Sequence, residues 1–129
     1  MNDREYFEKT KGVGFLATAD SEGRVDIAVY SRPHVIDDQT VAFIMADRLS
    51  HHNLQSNPHA AYLFKEEAPG YLGKRLFLTK IREEKDSELL GSLRRKTYPE
   101  LKGTESLVYF RIDKVLPLIV TGEDFIYQM

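Results

Sequence analysis

Thr40-Val41-Ala42-Phe43-Ile44-Met45-Ala46, followed by Asp47-Arg48-Leu49-Ser50-His51-His52-Asn53-Leu54-Gln55-Ser56-Asn57-Pro58, is the stretch on which the fold turns. Its first seven residues carry no charge and form an apolar run short enough for a buried strand. The polar run behind them contains Ser50, a residue able to cap a helix, and ends on Pro58, which cannot continue one. About two turns of helix through Asn57 are predicted, with a new strand, His59 to Phe64, directly after.

Working back toward the N-terminus, Asp37-Asp38-Gln39 turns the chain into that first strand. Arg24 to Ile36 is rich in Val, Ile and Tyr, and Pro33 interrupts it as proline does at a strand edge or bulge. Asp20-Ser21-Glu22-Gly23 has the residues of a tight turn, and Val13 to Thr18 reads as the strand before it. Three hairpin-linked strands in a meander are expected. Asp3 can cap a short helix that carries Tyr6, Phe7 and Thr10 on one side and ends by Gly12.

Working forward, Lys65 to Gly70 reads as a loop, and Lys74 to Arg82 alternates as a long strand, with Arg75, Phe77, Thr79 and Ile81 on one side and Leu76, Leu78 and Lys80 on the other. Asp86 or Ser87 caps a helix bearing Leu89, Leu90 and Leu93, stopped by Pro99. Ser106 to Asp113 is the last strand. Six strands with short helices between them predict a mainly β domain, an antiparallel barrel whose closure removes exposed edges. Val115 to Val120 and Phe125-Ile126-Tyr127 form an apolar extension that a lone domain hardly needs.

The chain has 129 residues, 18 Lys and Arg against 20 Asp and Glu for a net charge of −2, 42% hydrophobic residues and no Cys or Trp. One domain, 1–129, suits that length. Without cysteine there is no disulfide, no Cys-bound zinc or iron–sulfur cluster and no thiol nucleophile, so redox chemistry would need a bound cofactor. Met1 to Glu5 lacks a basic and then apolar leader, and no apolar run approaches the ~20 residues of a membrane span. A cytoplasmic protein without a membrane partner is expected. The balanced charge argues against a dedicated nucleic-acid binder, and Arg94-Arg95-Lys96 reads as the polar face of a helix.

Three clusters could carry chemistry. In Arg48 to His59, Ser50 at a helix start lies among first-turn N–H groups that, with Arg48 and an imidazole, could receive a phosphate; a plain helix cap is the ordinary alternative. His51, His52 and His59 invite a metal, yet neighbouring residues point to different sides of a helix and no carboxylate completes the set, so no metal site is expected. His34 reads as a packed or interface imidazole. Val29-Tyr30-Ser31-Arg32-Pro33-His34 places polar groups in an apolar strand, as happens where a strand faces a ligand or partner. Gly70 to Arg75 has neither Rossmann nor P-loop spacing and reads as a hairpin connection.

Two motifs together resemble the pyridoxamine 5′-phosphate oxidase-like flavoproteins, the split β-barrel family that binds FMN. Phe15-Leu16-Ala17-Thr18-Ala19-Asp20-Ser21-Glu22-Gly23-Arg24-Val25-Asp26 looks like the family's opening hairpin. Phe43-Ile44-Met45 with Arg48 to Pro58 looks like its third strand and short helix, and the likeness spans roughly residues 5–115. The resemblance implies a six-stranded, Greek-key split barrel that forms a homodimer with the flavin at its interface. It places the phosphate near Arg48, Leu49, Ser50 and His51, with Asn53 behind them, the ring or ribityl chain along Tyr30, Ser31, Arg32 and Pro33, and Arg75 near the ring. Residues 115–129 would pack on the partner. The oxidases carry an Arg-Lys pair where this chain has Leu49-Ser50, which points away from pyridoxamine phosphate as substrate and toward the small FMN-binding proteins of the superfamily. A flavin-dependent oxidoreductase is implied; the alternatives are a non-catalytic flavin carrier, a haem carrier with His34, His51 or His59 as ligand, and an interaction module without cofactor.

Overall fold

A computed structural model describes residues 3–85, 87–93 and 105–119. The elements are α1 (Asp3–Lys9), β1 (Gly12–Ala19), β2 (Val25–Tyr30), β3 (His34–Asp37), β4 (Thr40–Met45), α2 (Leu49–Ser56), β5 (His59–Glu66), β6 (Gly73–Lys85), α3 (Glu88–Leu93) and β7 (Ser106–Leu116). The β1–β2 turn forms as its residues require: Gly23 has φ 83°, a left-handed conformation that glycine adopts freely, and the Gly23 N–H donates to the Asp20 carbonyl at 3.1 Å. Ser87 caps α3, its Oγ accepting the Leu90 N–H at 3.0 Å. Asp86, the stop at Pro99, the Arg94 cluster and the apolar residues from 120 onward lie outside the described residues.

All seven strands form one antiparallel sheet in the order β2-β1-β5-β6-β7-β4-β3. The run from Arg24 to Ile36, read as one interrupted strand, is two strands, and the expected meander is replaced by two hairpins at opposite edges. Proline supplies the cause: Pro33 has no N–H to donate, and at Ser31-Arg32-Pro33 the chain leaves the β1 partnership and begins a new one with β4. In a flat sheet those two edges would stand about 29 Å apart, six strand spacings. Four Cα steps from Tyr30 to His34 reach about 15 Å at most. The sheet must therefore curl until its edges meet, and the barrel stays split between β2 and β3.

The interior holds Leu16, Val41, Phe43, Met45, Tyr62, Phe64, Leu76, Leu78, Val108 and Phe110, with Phe7 of α1 and Leu54 of α2 joined to them. Burying side chains of this size contributes about 1.5–3 kcal/mol each. Tyr62 bridges the split: its hydroxyl donates to the carbonyls of Tyr30 at 3.3 Å and Ser31 at 3.2 Å. The phenol crosses Gly14 so closely that a Cβ there would collide with it. The C-terminal strand runs three residues beyond the expected Asp113, so Val115 and Leu116 belong to β7 rather than to a separate tail.

Candidate functional site

The first turn of α2 is the feature to which most of the expected residues lead. Arg48 is the N-cap, with extended backbone and no side-chain capping bond, and the helix carries no acidic residue in its first turn. This corrects the cap assigned to Ser50, which sits one residue inside the helix. The first intrahelical bond runs from the His52 N–H to the Arg48 carbonyl at 2.9 Å. The N–H groups of Leu49, Ser50 and His51 precede it and have no acceptor within the helix. Arg48 and Leu49 are exposed, whereas Ser50, His51 and Asn53 are buried.

Those three buried side chains each hold a different part of the barrel. The Ser50 hydroxyl donates to Asp26 Oδ2 at 3.1 Å, tying the helix to β2. Asn53 Nδ2 donates to Thr18 Oγ1 at 3.0 Å, tying it to β1. His51 has Nε2 at 2.7 Å from Glu83 Oε2 and Nδ1 at 3.3 Å from Asp47 Oδ1, which ties it to β6. Glu83 also accepts from Lys80 Nζ at 2.6 Å and Gln55 Nε2 at 3.1 Å. Burial alone raises the Glu83 carboxyl, but the hydrogen bonds from His51, Lys80 and Gln55 more than reverse this and hold it at about 2.

Tyr30 joins this group from the inner face of β2. Burial pushes its phenol up, a hydrogen bond with Ser50 works against that rise, and the Asp26 charge adds to it. The ring also meets Phe43 edge-on at 6.0 Å. The rest of the expected ring-binding run disperses. Ser31 is exposed, and Arg32 donates to the carbonyls of Glu8 at 3.0 Å and Thr10 at 3.3 Å at the end of α1. Pro33 is buried and lines a cleft of about 370 Å³ with Arg4, His34 and Leu89.

Outside the barrel, β2 presents Val25, Ile27 and Val29 at 83%, 69% and 70% exposure. Strand register continues this face in rows: Val29 lies beside Phe15, then Leu63, then Arg75, and Ile27 beside Ala17, Ala61 and Phe77. Arg75 thus ends an apolar row about 14 Å from β2. Its Nε donates to the Pro117 carbonyl at 2.9 Å, while one terminal guanidinium nitrogen is buried without a partner. The face is largely apolar, with Arg75 at the end of one row, Lys65 beside Val13 and Lys114 over the Phe77 ring.

Asp26, Thr18 and Glu83 were absent from the expected set. The first two had a signal: each lies two residues outside the Asp20–Arg24 loop, so hairpin register alone sets them opposite each other. Glu83 had none, being 32 residues from His51. The histidines diverge as helix geometry requires, with His52 and His59 exposed. Among the described residues no group of three or more His, Cys, Asp or Glu is placed to hold a metal ion, and no helix is long and apolar enough to cross a membrane.

No protein-family model and no curated protein matches this sequence. Solved structures do match. An FMN-binding protein of Syntrophomonas wolfei superposes with a TM-score of 0.74 at 22% identity, over 92% of this chain and 84% of that one. A pyridoxamine 5′-phosphate oxidase-like protein of Lactobacillus delbrueckii gives 0.68 at 17% identity over 90% and 92% of the two chains. HutZ, a haem storage protein of Vibrio cholerae, gives 0.67 at 18% over 88% and 89%. The chain has the split β-barrel fold of the FMN-binding and pyridoxamine 5′-phosphate oxidase-like proteins, as its two sequence motifs implied.

Proposed function

We propose that this chain binds FMN without covalent attachment, at an interface between two copies of itself, and serves hydride or electron transfer to a small acceptor. The observation that carries the reading is the uncapped first turn of α2, with Arg48 at its mouth. Unpaired N–H groups, the helix dipole and a guanidinium together suit a phosphate. The bare outer face of β2 and β1 suits an apolar ring, and its extent suits a second protomer. Two carboxylates oppose the phosphate: Asp26, which already takes the Ser50 hydroxyl, and Asp47, whose Oδ1 lies 3.3 Å from His51 Nδ1. The anchoring therefore rests on Arg48 and the backbone N–H groups of residues 49–51 rather than on the serine side chain.

Bound flavin supplies the redox chemistry, and the protein supplies anchoring, orientation and control of access. The absorbance spectrum of the purified protein tests the proposal. A band at about 450 nm is expected of oxidised flavin, and colourless protein that does not quench added FMN fluorescence would overturn it. Arg48→Gln should weaken FMN binding about tenfold, from the loss of ~1.5 kcal/mol or more in a charge-assisted hydrogen bond. A haem carrier is the second reading, favoured by the likeness to HutZ. His51 has both ring nitrogens facing carboxylates, so the exposed His59 is the better placed ligand, and a Soret band in the same spectrum would decide for haem.

A further inference from the structure

The imidazole of His51 stands in the first turn of α2 with only 9% of its side chain exposed. Its Nε2 faces Glu83 Oε2 at 2.7 Å and its Nδ1 faces Asp47 Oδ1 at 3.3 Å. Gln55 Nε2 lies 3.3 Å from the same Nε2, but its two protons go to the His51 carbonyl at 3.0 Å and to Glu83 Oε1 at 3.1 Å. Ionised carboxylates only accept, so both ring nitrogens must donate. A neutral imidazole has one N–H and the imidazolium has two, which makes this the geometry of the imidazolium. A helix N-terminus alone disfavours a cation, and the two carboxylates supply the compensation.

The two carboxylates do not depend on His51 equally. Glu83 also accepts from Lys80 Nζ at 2.6 Å, so it keeps a cation whatever the imidazole does. Among the described residues Asp47 has no other cation within ion-pair distance. Asp47 directly precedes the N-cap Arg48, at the mouth of the turn whose N–H groups have no acceptor within the helix, and its side chain is 67% exposed. When His51 loses a proton, the one that remains stays on the shorter contact, toward Glu83. A lone pair on Nδ1 then faces Asp47, whose charge is left uncompensated and can turn toward those N–H groups, which favour an anion.

We propose that His51 is a proton-operated latch on the first turn of α2: charged, it holds Asp47 back and leaves the turn open to an anionic group; neutral, it releases Asp47 and the turn closes to anions. That the anion is the flavin phosphate rests on the FMN reading above, whereas the latch rests on the contacts of His51. A histidine changes charge between about pH 5 and 8, so anion binding falls across that range. The other charged or titratable groups around the turn are Glu83 and Lys80 from β6, Asp26 and Tyr30 from β2, and Asp47, Arg48 and the exposed His52 from the helix and its approach. Of these, His52 alone is of a type that changes charge in that range.

The test uses inorganic sulfate, whose charge is constant over the range, titrated at fixed ionic strength and followed by NMR at the backbone amides of residues 49–51. Affinity should be about tenfold lower at about pH 8 than at about pH 6, the scale of one lost charge interaction. Asp47→Asn should hold the tighter value at both, His51→Gln the weaker value at both, and the double variant should regain the tighter one, which a merely structural His51 would not allow. An effect of His52 would survive in Asp47→Asn. Because Asp47 is exposed, that variant reads the latch even where His51→Gln does not fold. Silent amides at both pH values, equal affinity at the two, an Asp47→Asn protein that keeps the pH dependence, or a double variant as weak as His51→Gln would each overturn the latch. FMN fluorescence quenching run alongside separates the two readings: the sulfate pattern without any quenching sustains the latch and removes the flavin.

Discussion

The two outer faces of this one sheet have met opposite fates. Where β4 and β7 pair, the outward residues Ala42 and Tyr109, and Ile44 and Leu107, face each other across the strands, and α3 covers them with Leu90 and Leu93. Five consecutive residues of β7, Ser106 to Phe110, are buried as a result. Where β2 and β1 pair, the outward residues are just as apolar, yet Val25, Ile27 and Val29 remain exposed. Strand alternation set up both faces alike. One is completed within the chain by a helix, and we propose that the other is completed by a second copy.

That contrast can be broken at its covered half first. Leu107→Ala removes a fully buried side chain held between sheet and helix, and should cost ~2–5 kcal/mol in denaturant unfolding. A loss under 1 kcal/mol would mean that α3 is only loosely seated. At the bare half the expectation reverses: Ile27→Asp should change the stability of the single chain by no more than ~0.5 kcal/mol, as at ordinary surface positions. Sedimentation should nonetheless show the association lost and FMN affinity reduced by about tenfold or more. An Ile27→Asp protein that sediments and binds as before would leave that face without a partner.

The smallest expected effect concerns the tie between α2 and β6, midway between the two faces. Glu83 is held at about 2, below its ordinary 4.5. A carboxylate depressed by folding stabilises the native state above its unfolded value, and that contribution drains as pH falls from about 4.5 toward 2. Glu83→Gln should therefore lower the melting temperature at neutral pH and flatten its fall across that acid window. An unchanged acid profile would show that His51 and Lys80 contribute nothing through this carboxylate.

The contrast also explains what could be read from the residues alone. The Asp20–Gly23 turn, the short helix before Pro58 and the buried run Thr40 to Met45 are local, each decided by the chemistry of a few neighbours. Which edge β3 joins is not local. Arg24 to Ile36 has β-forming composition on both sides of Pro33, and the proline marks a break without saying which strand is joined after it. At the candidate site, Arg48 to Asn53 was legible because one helix carries it. The cap was placed on Ser50 instead of Arg48 because backbone dihedrals, not residue preference, decide where a helix begins. The partner Glu83 comes from a strand 32 residues away and lies beyond the reach of a motif, whereas Asp26 closes the hairpin motif that begins at Phe15.

Arg4 of α1 covers one border of the split barrel. Its guanidinium donates to the carbonyls of Val35 and Ile36 at 3.0 Å each, on the strand that ends the sheet. An edge strand with free carbonyls is a template for another chain, and a bulky cation laid along it makes that template poor. The N-terminal helix thus does for β3 what no neighbouring strand does. A protein shortened past Lys9 would lose Phe7 from its interior and also expose a sticky border, so polymerisation would accompany its loss of stability.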